Sequence, residues 1–110
     1  MPLVNLSQIL APANEQSYAI GAYDVFNIEM AAAVIQAAEE TLSPVILSYV
    51  EVFDSLTPME AFIAWLRQLS EDAKVPVCIH LDHATNLPII RRAVACGFTG
   101  VMIDASDKPF

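Results

Sequence analysis

Both histidines of this 110-residue sequence fall in one tetrapeptide, His80-Leu81-Asp82-His83, with a carboxylate between them. Imidazole is the commonest protein ligand for a zinc-like ion, and a nearby carboxylate can orient it or move a proton. The tetrapeptide closes an apolar run, Pro76-Val77-Cys78-Ile79, that reads as a buried strand. Strand alternation puts His80 and Asp82 on one face. His83 falls just past the strand end, where a loop can turn it. The carboxyl ends of strands are where sites form in α/β folds. A plainer reading of the same residues stays open: His80 as a hydrogen-bonded core histidine and Asp82 as the cap of the next helix. A zinc site takes at least three protein ligands. Two histidines with no usable thiolate pair do not complete one.

Other polar residues at the ends of apolar runs carry weaker signals. Asp104, followed by Ala105-Ser106-Asp107, closes the last such run, and Asp24 closes the first. Asn27 reads as a helix cap. Glu51 and Asp54 read as solvated loop, Arg91-Arg92 as solvent-facing, and Phe62 and Trp65 as core.

The elements that must position these residues follow from periodicity and punctuation. Residues 5–16 read as a short helix with Leu6, Ile9 and Leu10 on one face and Pro12 disturbing its middle. A strand is expected over 18–23. A helix capped by Asn27 then runs to about Thr41, with Ala31, Ala32, Ile35 and Ala38 facing a sheet. The second strand is 44–49. Thr57-Pro58-Met59-Glu60 has the form of a capping box with proline at the first helical position. The helix it opens carries Phe62, Trp65, Leu66 and Leu69 at helical spacing. The third strand is 76–81. A further helix starts at Thr85 or Asn86, turns Ile89, Ile90, Ala93 and Val94 inward, and stops at Gly97. The fourth strand is 101–104.

Strands thus recur at the spacing of βα units. Their near-continuous apolar character says that both faces are covered, so they should lie parallel, joined by helical crossovers. An open doubly wound sheet and part of a closed (β/α)8 barrel both satisfy this pattern. The three glycines, Gly21, Gly97 and Gly100, form neither a dinucleotide-binding nor a P-loop motif.

Composition narrows the function classes. Apolar residues make up 55% of the chain and charged ones 16%, which excludes disorder. Thirteen acidic residues against five basic ones give a net charge of −8. That speaks against nucleic acid and against an anionic membrane as partners. Cys78 and Cys96 form no CxxC pair and read as buried thiols in a reducing compartment. No secretory signal or apolar span of membrane length is visible, so a cytoplasmic location is expected.

Residues 75–84, Val-Pro-Val-Cys-Ile-His-Leu-Asp-His-Ala, resemble the signature of the class II, metal-dependent ketose-bisphosphate aldolases, the fructose- and tagatose-bisphosphate aldolases. Gly21-Ala22-Tyr23-Asp24-Val25, Ala37-Ala38-Glu39-Glu40 with Ser43-Pro44-Val45-Ile46-Leu47, and Val101-Met102-Ile103-Asp104-Ala105-Ser106 agree with the same family in order and spacing. The resemblance covers essentially the whole chain. It implies a (β/α)8 TIM barrel of which residues 1–110 are the N-terminal half, about four βα units, with the C-terminal half absent from this chain. It implies a lyase of carbohydrate metabolism such as glycolysis. Such an enzyme cleaves a ketose phosphate or bisphosphate reversibly to dihydroxyacetone phosphate and an aldehyde. The residue matching the family's catalytic acid/base is Asp82, and the one matching a zinc ligand is His83. His80, Asp24 and Asp104 have supporting or substrate-side roles. Zn2+ would polarise the ketose carbonyl and stabilise the enediolate left by C3–C4 cleavage. The family's other two zinc-binding histidines lie beyond Phe110. Family members often have asparagine where Asp24 stands and serine where Val50 stands, which leaves the choice of sugar phosphate open. The chain alone is expected to be inactive, and the whole protein to be a homo-oligomer. The non-enzymatic alternative is a half-barrel that completes itself by association and serves a structural or binding role.

Overall fold

The computed structural model describes residues 2–110. Helix α1 (Leu6–Gln16) opens on a capping box. Asn5 accepts from the Gln8 amide, and the Gln8 side chain accepts from the Asn5 amide, both at 2.9 Å. The helix runs through Pro12 unbroken, and the carbonyl that loses its donor there belongs to exposed Gln8. Of its expected apolar face, Ile9 is buried and Leu10 is exposed. Ser17 ends the helix in the left-handed region, and the Tyr18 amide donates back to the Ala13 carbonyl. This closure takes Tyr18 out of the sheet. Strand β1 is therefore Ala22–Asp24, shorter than the expected 18–23, with the Gly21 carbonyl already accepting from Ile46.

Helix α2 (Ile28–Glu40) is capped by Asn27, which accepts from the Met30 amide. Its inward residues are Ala31, Ile35 and Ala38, while Ala32 is exposed. Strand β2 (Val45–Val50) leads into a 3-10 turn, Glu51–Ser55, and then helix α3 (Met59–Glu71). The expected capping box of α3 does not form. The Thr57 carbonyl accepts from the Tyr49 phenol and the Thr57 hydroxyl donates to the Phe26 carbonyl, so Thr57 is held away from the helix. Asp54 accepts from the Met59 amide in its place. Strand β3 (Val77–Ala84), helix α4 (Leu87–Cys96, capped by Asn86 and stopped at left-handed Gly97) and strand β4 (Gly100–Ile103) complete the described elements. Val94, expected to turn inward, is exposed, because α4 buries only the arc carrying Ile89 and Ala93.

Among the described residues the strands form one parallel sheet in the order β1-β2-β3-β4. Chain order and spatial order coincide, with no point where the order reverses. Helices α2, α3 and α4 share one apolar cluster with Val45, Leu47, Tyr49, Val77, Ile79 and Leu81, so every crossover packs on the same face. A doubly wound sheet needs a reversal and helices on both faces. A sheet that always steps the same way, with its helices outside, is an arc of a (β/α)8 barrel. Each fully buried leucine or isoleucine in this cluster (Leu47, Ile63, Leu66, Ile79, Leu81) contributes about 1.5–3 kcal/mol by leaving water.

The opposite face is the concave one. At its amino end Ile46 and Cys78 pack against Ile9 of α1, with Val4, Leu6 and Ile20 around them. The segment before α1 ties down the same end: the Val77 amide donates to the Pro2 carbonyl and the Val4 amide to the Val77 carbonyl. At its carboxyl end the face carries the polar residues. Cys78 is buried and Cys96 half-buried, both as free thiols, and burial raises the pKa of each.

Candidate active site

Strand register builds the site one layer at a time. Asp24 of β1, Ser48 of β2, His80 of β3 and Gly100 of β4 are paired across the sheet, and the next layer pairs Val50 with Asp82. These residues alternate with the core residues on the helix side, so they belong to the concave face. His80 is half-buried. Burial holds its pKa below the ordinary histidine value, against the opposing pull of Asp82. Gly100 leaves the room His80 uses: a Cβ there would meet the Leu6 side chain at 2.6 Å and the His80 ring at 3.1 Å.

Beyond Leu81 the ladder slips. Ala84, two residues past Asp82, pairs with Ile103, and His83 between them takes φ 52°. The sequence placed His83 past the strand end. The structure instead keeps it inside β3, at a β-bulge in the left-handed region, which a non-glycine residue adopts rarely and histidine more readily than most. The bulge swings the imidazole to the rim, where it is exposed.

There His83 Nδ1 lies 2.8 Å from Asp104 Oδ2, and its Nε2 lies 3.7 Å from Asp82 Oδ2. Asp104 is held well below the usual carboxylate range by bonds from the Ser106 hydroxyl, from His83 and from the Ser106 amide. It is therefore ionised and can only accept, which makes Nδ1–H the donor and leaves the Nε2 lone pair of neutral His83 free. The bond to Asp104 raises the His83 pKa, and the charges of Asp82 and Asp24 add to it. The Asp104 amide donates to the Ala84 carbonyl at 2.7 Å, so backbone and side chain pin the β3 and β4 ends together. Asp82, His83 and Asp104 thus meet at one rim. Asp24 stands on the same face and reaches His83 by charge alone.

Two stretches read as solvated also carry partners from distant elements. Glu51, directly after β2, accepts from the Thr85 amide at 2.8 Å and from the Thr85 hydroxyl at 2.9–3.0 Å. Asp54 and Glu60 both accept from the Arg92 guanidinium at 2.8–3.2 Å, so Arg92, exposed as expected, also ties α4 to the start of α3. A cleft of about 390 Å3 at the rim is lined by Val50, Glu51, Val52, His83 and Thr85. The larger cavity, about 870 Å3, lies along β1 and α2, away from the histidines.

Residues 4–110 match the family model for fructose-bisphosphate aldolase class-II. The chain belongs to the class-II fructose-bisphosphate aldolase family. Among curated relatives of this aldolase family, it is 42% identical to a Bacillus subtilis (strain 168) protein named "Probable fructose-bisphosphate aldolase". It is 37% identical to the fructose-bisphosphate aldolase of Staphylococcus aureus (strain Mu50 / ATCC 700699). Each match covers the whole chain and 40% of the relative, so the chain spans about two fifths of their length. The crystal structure of the YdjI aldolase from Escherichia coli K12 superposes with a TM-score of 0.93 at 36% identity, over 97% of this chain and 42% of that one. The aldolase fold expected from the resemblance is the fold observed, over its first four strands.

A metal ion fits this aldolase rim as far as the donors go. In its neutral form His83 offers an Nε2 lone pair, and Asp104 holds the ring from behind, the carboxylate–histidine arrangement that supports zinc ligands. Among the described residues no group of three histidine, cysteine, aspartate or glutamate side chains could hold an ion. The fit is that of one ligand and its support, two short of a structural or catalytic zinc centre. No helix among the described residues is long and apolar enough to cross a membrane.

Proposed function

We propose that the protein containing this chain is a zinc-dependent aldolase that cleaves a ketose phosphate or bisphosphate reversibly to dihydroxyacetone phosphate and an aldehyde. The observation that carries the reading is the rim itself. Asp82 Oδ2 stands 3.7 Å from His83 Nε2, and Asp104 Oδ2 holds the other ring nitrogen at 2.8 Å.

In this reading His83 Nε2 supplies one ligand to the ion, with the remaining ligands outside these 110 residues. An ion bound there would supply a Lewis acid for the ketose carbonyl. Asp82 moves the proton. In the cleavage direction its carboxylate takes the proton of the C4 hydroxyl as the C3–C4 bond breaks and the aldehyde forms. In synthesis it returns that proton to the aldehyde oxygen. Asp104 keeps His83 in the tautomer that can ligate. His80 and Asp24 line the concave face beneath and beside this pair, on the substrate side. The relatives' names favour fructose 1,6-bisphosphate as the substrate to try first, and a metabolic enzyme of this kind fits a cytoplasmic location and a homo-oligomer.

The test uses the product of the whole reading frame that contains this chain. Fructose 1,6-bisphosphate cleavage should be abolished by chelation and restored by Zn2+. Turnover that is indifferent to chelation would overturn the metal's part. The 110-residue chain alone should bind zinc weakly and turn over nothing. A second reading draws on the outer edges of β1 and β4, which have no strand partner among the described residues. In it the chain is a non-catalytic half-barrel that completes a ring by association. It requires a discrete dimer of the 110-residue chain in sedimentation, with no cleavage by any form of the protein.

A further inference from the structure

We infer that Glu51 is a positioning residue for the reaction. Its carboxylate, carried by the turn after β2, clamps the backbone just past His83 and so holds the bulge that aims Asp82 and His83. The inference rests on the aldolase reading above and adds a residue to it.

The bulge needs such a clamp. His83 sits at φ 52°, a conformation that costs a branched-out L residue about 1–2 kcal/mol and persists only where the surroundings over-determine it. On one side the determinants come from β4, where Asp104 bonds the His83 ring and its amide bonds the Ala84 carbonyl. On the other side the β2 ladder ends at the pair Val50 with Asp82, and beyond it Glu51 takes over. Oε2 accepts from the Thr85 amide at 2.8 Å, both oxygens accept from the Thr85 hydroxyl, and Oε1 accepts from the Asn86 side chain at 3.3 Å. Thr85 is two residues from His83 and directly follows the last residue of β3, so fixing its amide fixes the peptide that leaves the bulge. Asn86 is also the cap of α4, accepting from the Ile89 amide. One carboxylate therefore ties the β2 turn to both the end of β3 and the start of α4. Its own turn is anchored from the other end by Asp54, which bonds Arg92 of α4 and the Met59 amide. Glu51 and His83 also share the walls of the 390 Å3 rim cleft, so the clamp stands beside the imidazole it positions.

The geometry separates position from charge. Glutamine at 51 keeps one oxygen to accept from the Thr85 amide, and its NH2 can donate to the Thr85 hydroxyl oxygen. Serine at 85 keeps both groups that Glu51 holds, while valine keeps the amide and loses the hydroxyl.

The experiment uses the full-length protein with fructose 1,6-bisphosphate and added Zn2+, and measures kcat, KM and thermal unfolding for Glu51→Ala, Glu51→Gln, Thr85→Val and Thr85→Ser, beside Asp82→Ala and Arg92→Met. Supporting partners of this kind are worth about 10- to 100-fold. Glu51→Ala should lower kcat by about that factor with KM little changed. Glu51→Gln and Thr85→Ser should stay near wild type, and Thr85→Val should fall between. Arg92→Met, which frees the far end of the turn that carries Glu51, should lower the unfolding temperature and lower kcat less than Glu51→Ala does. Glu51→Gln as impaired as Glu51→Ala would mean that the charge acts on substrate or metal directly, and would overturn the positioning role. So would Glu51→Ala at wild-type kcat. Should Glu51→Ala not fold, Thr85→Val against Thr85→Ser decides: equal kcat in the two overturns the clamp. Asp82→Ala keeps the two failures apart, because an active Asp82→Ala sinks the aldolase reading, whereas an inactive one beside unaffected Glu51 variants sinks the clamp alone.

Discussion

The two ends of the concave face are built from the same two strands, β2 and β3, and look nothing alike. At the amino end Ile46 and Cys78 are sealed under Ile9 of α1. At the carboxyl end, two to four residues further along the same strands, Ser48, His80, Val50 and Asp82 carry the alternation on, and no element among the described ones lies over Asp82 or His83. The pleat aims both sets the same way. What differs is the lid. Where a helix covers the face, apolar residues gain by leaving water; at the rim beyond half-buried His80, Asp82 and His83 keep contact with solvent and stay able to exchange protons and ligands. A barrel arc thus divides its labour by height, with stability at the bottom and chemistry at the top.

Substitutions at the two ends should therefore fail differently. The largest effect belongs to Asp82→Asn in the full-length protein, which should lower the cleavage rate by about 10²- to 10⁴-fold, the usual worth of an acid/base group, with the unfolding temperature nearly unchanged. Asp104→Asn should follow, with about a 10- to 100-fold loss in zinc affinity by chelator competition, because an amide no longer fixes the His83 tautomer through an ionised acceptor. Ile46→Ala, at the covered end, should cost about 2–5 kcal/mol of stability by denaturant unfolding and leave the rate per folded molecule intact. A rate loss there without destabilisation would break the comparison.

The smallest effect is electrostatic and lies outside both ends. The Arg92 guanidinium holds the Asp54 carboxyl below its ordinary 3.8 and that of Glu60 below 4.5. A depressed folded pKa gives stability that is present above the unfolded value and is lost as the pH falls through the folded one. The difference in unfolding temperature between wild type and Arg92→Met should thus be constant near neutrality and shrink below about pH 4.5. A gap that widens in acid would contradict the ion-pair account.

Much of this was legible in the residues. Apolar runs ending in polar ones marked the strands, and period-two alternation put His80 and Asp82 on one face, since both signals are local; periodicity left the order of the strands in the sheet open. The left-handed turn at His83 was not legible, because the register slip that creates it is imposed by β4, whose Ile103 pairs with Ala84. Nor were Glu51, Asp54 and Arg92, whose partners stand 32 to 38 residues away, a separation over which spacing carries no information. Glu51 did carry one usable sign, its place directly after a strand's carboxyl end. The α3 cap was misread for a similar reason: Thr57 has the right local form, but Tyr49 and Phe26 claim it through contacts that only the fold creates.

The most direct test of the proposed division between proton and metal is the zinc content of Asp82→Ala and His83→Ala, measured side by side with turnover on the full-length protein. Asp82→Ala should retain its zinc and lose turnover, whereas His83→Ala should lose both. Zinc lost with Asp82, or zinc and turnover retained without His83, would contradict it.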